Sequence, residues 1–164
     1  MSFAVWLTGL PASGKSAIAR ELVRELHERA VDTAVLESDV MRTQLTPFPR
    51  YDEADRDLFY DVLADVGVLL ARRGRPVVFD ATANRRRYRD VARSSIERFC
   101  EVYVDTPLEV CRARDPKGLY RSGRVTDMVY EPPLGPELLL RGERLAPAKA
   151  AERIVVYLQA RGWL

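Results

Sequence analysis

Residues 9–16 read GLPASGKS, which sets Gly9, Gly14, Lys15 and Ser16 at the spacing G-x-x-x-x-G-K-[ST]. Glycines at those places let successive backbone N–H groups turn toward one point, a concavity suited to phosphate oxygens. The lysine brings a positive charge within reach of β- and γ-phosphates, and the neighbouring hydroxyl suits Mg²⁺. The motif carries this meaning only between a strand and a helix. Phe3 to Leu7 (FAVWL) are apolar, β-branched or aromatic and read as a buried strand. Ala17 to Glu28 carry Ile18, Leu22, Val23 and Leu26 at helical spacing. The expected nucleotide-binding segment is therefore Gly9, Leu10, Pro11, Ala12, Ser13, Gly14, Lys15, Ser16 and Ala17, lying at a helix start whose partial positive charge favours anions.

Two carboxylates stand where such a site could use them. Asp39 follows the short strand Thr33 to Glu37, and Asp80 ends the strand Val77 to Phe79 that Pro76 opens. A carboxylate at a strand end can accept a proton or bind a hard cation. Asp80, near Ser16, is the expected second group for the Mg²⁺ water shell. Either aspartate could instead cap a following helix.

The elements that position these groups alternate. Residues 46–55 form a loop with two prolines, entering a helix from about Glu53 to Arg73 whose apolar side is Leu58, Val62, Val66, Leu69 and Leu70, stopped by Gly74. An Arg-rich helix follows over Arg85 to Arg98, then a strand over Cys100 to Val104 and a short helix over Pro107 to Arg112. Leu138 to Leu140 is the fifth strand, and Pro147 to Ala160 the closing amphipathic helix. Strands alternating with helices imply an α/β, three-layer domain spanning 1–164 with a central five-stranded parallel sheet. Its ligands bind beyond the carboxyl ends of the strands. The irregular stretch near 114–135 is long for an idle connection and reads as a lid.

Composition narrows the class. With 47% hydrophobic and 30% charged residues in 164, the chain suits a single soluble domain. A net charge of +2 gives no support for nucleic acid or a membrane as partner. Lysine is confined to Lys15, Lys117 and Lys149 against a background of arginine. Cys100 and Cys111 do not form a disulfide framework, and with no leader or long apolar span the expected compartment is the cytoplasm. There is no Asn-Lys-x-Asp segment to read guanine and no strand ending in Asp-Glu as in mechanical ATPases. A small-molecule kinase remains.

Beyond the phosphate loop the chain resembles the adenylyl-sulfate (APS) kinases. The stretches that carry the resemblance are WLTGLPASGKS (6–16), LESDVMR (36–42), Asp55-Arg56, EVYVDTPLEVCRARDPKGLY (101–120) and YEPPLGPEL (130–138). The resemblance implies a P-loop NTPase fold of the nucleotide-kinase type, ATP and Mg²⁺, and transfer of the γ-phosphoryl group to the 3′-hydroxyl of adenosine 5′-phosphosulfate. It implies that Asp39 is the base or orienting group for that hydroxyl. Arg42 and Arg56 hold the anionic substrate, Arg86 matches a substrate arginine after strand three, and Lys117 closes on the substrates from the lid. A homodimer is the assembly it implies. By residue type alone, Arg42, Arg56 and Arg86 could equally be solvated helix faces, and Arg112 or residues near Pro147 could border the adenine.

The departures cluster on the acceptor side. The family's Asp-Gly-Asp-Asn is Glu37-Ser38-Asp39-Val40, and Phe59 stands for an asparagine in the substrate pocket. Ala81-Thr82-Ala83-Asn84 replaces Phe-Ile-Ser-Pro, and Val125 to Val129 replaces Phe-Thr-Gly-Ile-Asp. A different nucleotide-linked or sugar hydroxyl as acceptor, or a non-catalytic nucleotide-binding module, are the alternatives these leave.

Overall fold

The computed structural model describes residues 2–125 and 128–164. The elements run β1 (Phe3–Thr8), α1 (Lys15–Glu28), β2 (Ala34–Glu37), α2 (Ser38–Leu45), α3 (Glu53–Arg72), β3 (Val77–Asp80), α4 (Arg86–Ser95), β4 (Arg98–Val104), α5 (Leu108–Arg114), β5 (Leu138–Leu140) and α6 (Pro147–Ala160). The strands form one sheet in the order β2-β3-β1-β4-β5, and every pairing is parallel. The expected five-stranded parallel sheet with helices on both faces is what the chain forms.

β1 sits at the centre and is buried along its whole length, which explains its unbroken apolar run. Its side chains still alternate between two cores. Phe3, Val5 and Leu7 pack with Ile18 and Leu22 of α1 and Ile154 and Leu158 of α6. Ala4 and Trp6 face the other way, with Leu63 of α3, Phe79 of β3 and Tyr88 of α4. Trp6 stacks on Phe79 with ring centroids 4.2 Å apart, and its Nε1 donates to the Ala81 carbonyl at 3.1 Å. That bond fixes the chain just past β3, where Asp80 lies.

Helix α3 corrects the expected packing face. Its buried side is Phe59, Tyr60, Leu63, Ala64, Gly67, Val68 and Ala71, whereas Leu58 and Leu69 are 61% and 57% exposed. The reason lies opposite, in β3. A Cβ on Gly67 would stand 2.0 Å from Phe79 Cζ, so only glycine lets the helix approach that ring. The Phe59/Leu63/Gly67 side therefore goes inward; of the expected face, Val66 and Leu70 pack at the edge of that core and Leu58 and Leu69 are left outside.

The Arg-rich helix also ends earlier than expected. Ile96 is 1% exposed with φ −119° and ψ 109°, so burying this β-branched residue draws the chain into the strand. β4 accordingly starts at Arg98, two residues before the expected Cys100.

Gly67→Ala should destabilise the fold by about 1–3 kcal/mol, as overpacking a filled core does. Urea unfolding checks this, and an unchanged midpoint would mean that α3 does not bear on Phe79.

Candidate active site

A cleft of about 1260 Å³ opens at the carboxyl ends of the strands. One wall is the loop after β1 and the start of α1, from Pro11 to Ile18. The cleft is also lined by Asp39 and Arg42 of α2, Arg56 and Tyr60 of α3, Asp80 at the end of β3 and Thr82 just past it. Lys117, Leu119 and Arg124 close one side, and Arg144 to Pro147 another.

The loop is shaped for anions. The first helical bond of α1 runs from Ile18 N–H to the Gly14 carbonyl, so the N–H groups of Gly14, Lys15, Ser16 and Ala17 have no helical acceptor. Ala12 takes a left-handed conformation, φ 63°, and Gly14 follows at φ 108°. Holding a non-glycine residue there costs energy that the surrounding loop must outweigh. Gly9 and Leu10 do not border the cleft. Their carbonyls instead accept from Lys15 Nζ at 3.0 and 2.9 Å. Lys15 is 7% exposed, and burial lowers its ammonium pKa to about 8, against the raising effects of Asp80, Cys111 and Asp39.

Asp39 is not a helix cap. α2 has Glu37 at its N-cap position with no side-chain cap bond, and Asp39 lies within the first turn. Its carboxylate instead accepts from the Lys117 ammonium. Burial alone would lower the Lys117 pKa, but pairing with Asp39 more than reverses this and raises it. Asp80 is no cap either, since α4 begins only at Arg86. It is 5% exposed, borders the cleft, and meets no hydrogen-bond donor among the described residues.

Arg42 lies over the Phe59 ring, its Cζ 4.0 Å from the centroid, and it pairs with Asp55 at 3.4 Å. Arg56 borders the cleft and makes no ion pair among the described residues. Two expected substrate residues are elsewhere. Phe59 is 1% exposed, because the inward face of α3 carries it into the core beneath Arg42. Arg86 is drawn off by the segment after Val129. Its N–H donates to Glu131 at 2.9 Å and its Nε to the Pro132 carbonyl at 2.6 Å. Its neighbours Arg85 and Arg87 form surface pairs with Glu53 and Asp57, a solvated helix start. Arg112 also lies off the cleft, in a smaller groove with Leu108, Tyr120 and Tyr130. Of the replacement at Val125–Val129, Thr126 and Asp127 fall outside the described residues.

Sequence reasoning missed several groups that build the site. Arg114 donates to the Ser13 and Gly142 carbonyls at 3.4 and 3.1 Å. Asp115 is 4% exposed and accepts from the N–H groups of Tyr120 and Arg121 at 3.2 and 3.1 Å, closing the turn that presents Lys117. Tyr120 Oη then donates to the Pro11 carbonyl at 2.8 Å. All of these sit in RARDPKGLY, so the available signal was the density of polar side chains in one short stretch. Tyr51, on the cleft with Arg42 and Arg124 near its ring, had no such signal.

Residues 1–141 match the family model for adenylylsulphate kinase. An adenylyl-sulfate kinase of Gloeothece citriformis is 37% identical over 98% of this chain and 96% of its own length. One of Halothermothrix orenii is 35% identical over 98% of this chain and 91% of its own. The APS kinase of Mycobacterium tuberculosis, solved in complex with AMPPNP and APS, superposes with a TM-score of 0.86 at 34% identity, covering 96% of this chain and 98% of that one. Shikimate kinase of Aquifex aeolicus, at 19% identity and a TM-score of 0.64, shares the fold. The chain belongs to the adenylylsulphate kinase family and is an ATP-dependent phosphotransferase acting on a hydroxyl group.

Proposed function

We propose that this protein transfers the γ-phosphoryl group of ATP to the 3′-hydroxyl of adenosine 5′-phosphosulfate, as its relatives' name describes. The observation that carries the reading is that Asp39, Arg42 and Arg56 line the same cleft as a loop with four free N–H groups. The triphosphate lies against that loop. The acceptor's sulfate and phosphate charge meets Arg42 and Arg56. Asp39 accepts the proton of the attacking hydroxyl as its oxygen bonds to γ-phosphorus and the bond to the β-phosphate oxygen breaks, leaving ADP. Lys117 leaves Asp39 for the more negative phosphates, which frees the carboxylate as base. The stretch near 114–135 serves as the lid that brings Lys117 in.

Mg²⁺ fits the donors present. No group of three or more His, Cys, Asp or Glu among the described residues could hold a metal by itself. The Ser16 hydroxyl and the unpartnered Asp80 carboxylate share the cleft. That sparse, all-oxygen set suits an ion that keeps its waters and takes its other ligands from phosphate. When bound, Mg²⁺ neutralises charge on the β- and γ-phosphates. No helix among the described residues is long and apolar enough to cross a membrane. Cys100 and Cys111 are buried and unpaired, which supports a reducing cytoplasm as the compartment.

An ADP-release assay with MgATP and a panel of hydroxyl acceptors tests the acceptor. Saturable turnover is expected with APS, while turnover only on another acceptor would leave a kinase with a different substrate. Asp39→Asn should lower kcat by roughly two or more orders of magnitude, as loss of a general base does. Its melting temperature should stay near wild type, because Asp39 caps no helix; near-wild-type turnover would remove Asp39 from the chemistry.

Lys15 sets a pH dependence. Below about pH 8 the free protein already holds the Lys15 proton, and affinity for MgATP should be flat. Above it the phosphates must draw a proton onto Lys15, so Kd should rise by up to about tenfold per pH unit. Titration calorimetry from neutral to alkaline pH checks this. A flat Kd across that range, or the same slope in Lys15→Met, would show that Lys15 does not titrate with the nucleotide.

A further inference from the structure

The carbonyl of Ser13, a fully buried residue, is held from outside the loop. Thr106, 3% exposed at the end of β4, donates its hydroxyl to that oxygen at 2.8 Å. Arg114 Nη1 approaches the same oxygen at 3.4 Å. Behind them, a Cβ on Gly142 would fall 2.1 Å from Thr106 Oγ1 and 2.5 Å from the Ser13 oxygen. Glycine at 142 is what allows hydroxyl and carbonyl to meet.

The consequence follows from peptide geometry. In a planar trans peptide the N–H points opposite to the carbonyl before it. With the Ser13 oxygen bonded to the buried Thr106 hydroxyl, which does not border the cleft, the Gly14 N–H is aimed the other way, and it finds no acceptor among the described residues. Gly14 has φ 108°, a region glycine enters freely, so its own backbone does little to stop this peptide from turning over. Turned over, the same unit would present a carbonyl oxygen to the phosphates. We propose that Thr106 is a positioning residue for the nucleotide phosphates, its hydroxyl locking the Ser13–Gly14 peptide with the N–H toward the cleft. The proposal rests on the reading that the triphosphate binds at this loop. It adds that the anion-ready form is set by the end of a neighbouring strand and not by the loop alone.

The test compares MgATP, ADP and adenosine as ligands of the wild type, Thr106→Val and Thr106→Ser by titration calorimetry. Thr106→Val keeps the shape and removes the donor. Its Kd for MgATP and ADP should rise about tenfold, equivalent to about 1.4 kcal/mol. Adenosine affinity should not move, and KM for the acceptor should stay at its wild-type value. Thr106→Ser, which restores the hydroxyl, should return MgATP affinity to near wild type. Should Thr106→Val fail to fold, Gly142→Ala forces the hydroxyl and carbonyl apart from behind and should give the same phosphate-dependent loss. An unchanged MgATP affinity in the folded variant would overturn the proposal. So would an equal loss for adenosine and ATP, or a serine variant no better than valine. Absence of MgATP binding in the wild type itself would overturn the phosphate reading and this role with it, a result distinct from all the others.

Discussion

A loop that must receive three phosphates cannot satisfy its own amides. Much of the active site follows from keeping those N–H groups free while giving the carbonyls of Gly9, Leu10, Pro11 and Ser13 partners. The Gly9 and Leu10 oxygens take Lys15, the Pro11 oxygen takes Tyr120, and the Ser13 oxygen takes Thr106 and Arg114. The partners come from the first turn of α1, the end of α5 with the segment after it, and the chain just past β4. The loop can therefore keep its form only where three separate parts of the chain converge, and the central position of β1 in the sheet supplies that place.

A second constraint fixes the segment from Val129 to Glu137, which has no regular structure until β5. The Arg89 guanidinium is 1% exposed and meets Glu101 at 2.7 Å, the Ala83 carbonyl at 2.5 Å and the Glu131 carbonyl at 2.8 Å. Glu137 adds two contacts to Arg93 and accepts from the Glu101 N–H at 2.6 Å. A buried ion pair of this sort gives little net stability over an apolar pair, while breaking it leaves a stranded charge. Its effect here is positional. It ties α4 and β4 to a chain segment that Asn84 and Tyr130 also hold, through the Val129 carbonyl and Thr8. Arg86 is spent on this attachment, which is why an arginine expected at the substrate stands outside the cleft.

The fold was legible where local pattern and tertiary burial agree. β1, the phosphate loop, β5 and α6 follow from apolar runs, glycine spacing and the proline that opens α6, and their limits hold to within a residue or two. The inner face of α3 was not legible, because both of its sides carry apolar residues. The choice between them is made by Phe79, which needs a glycine at 67 and so lies outside any helical periodicity. Within the site, Lys15, Asp39, Arg42, Arg56, Asp80 and Lys117 do border one cleft. Lys15 was legible from motif spacing and Asp39 and Asp80 from their places at strand ends, whereas Arg42, Arg56 and Lys117 were legible only through the family resemblance. Phe59 shows the limit of matching by position. It occupies the place of a polar pocket residue but points inward, and the group that reaches the cleft above it is Arg42.

The charges of the cleft complete the argument. Lys15 rests on loop carbonyls, Lys117 on Asp39, Arg42 on Asp55 and Arg114 on the Ser13 and Gly142 carbonyls. Each of these cations thus rests on a partner from this chain, and burial holds the Lys15 pKa down to about 8 against the raising effect of Asp80. A ligand bearing several negative charges offers each of them a better one, and takes nothing from the packing beneath. Selectivity for a polyanionic pair of substrates then needs no large rearrangement of the core. On the proposed reading Lys15 and Lys117 exchange partners, and Asp39 is left without its counter-ion when both substrates are in place. On that reading the carboxylate gains its freedom to accept a proton from the same event that brings the phosphates in.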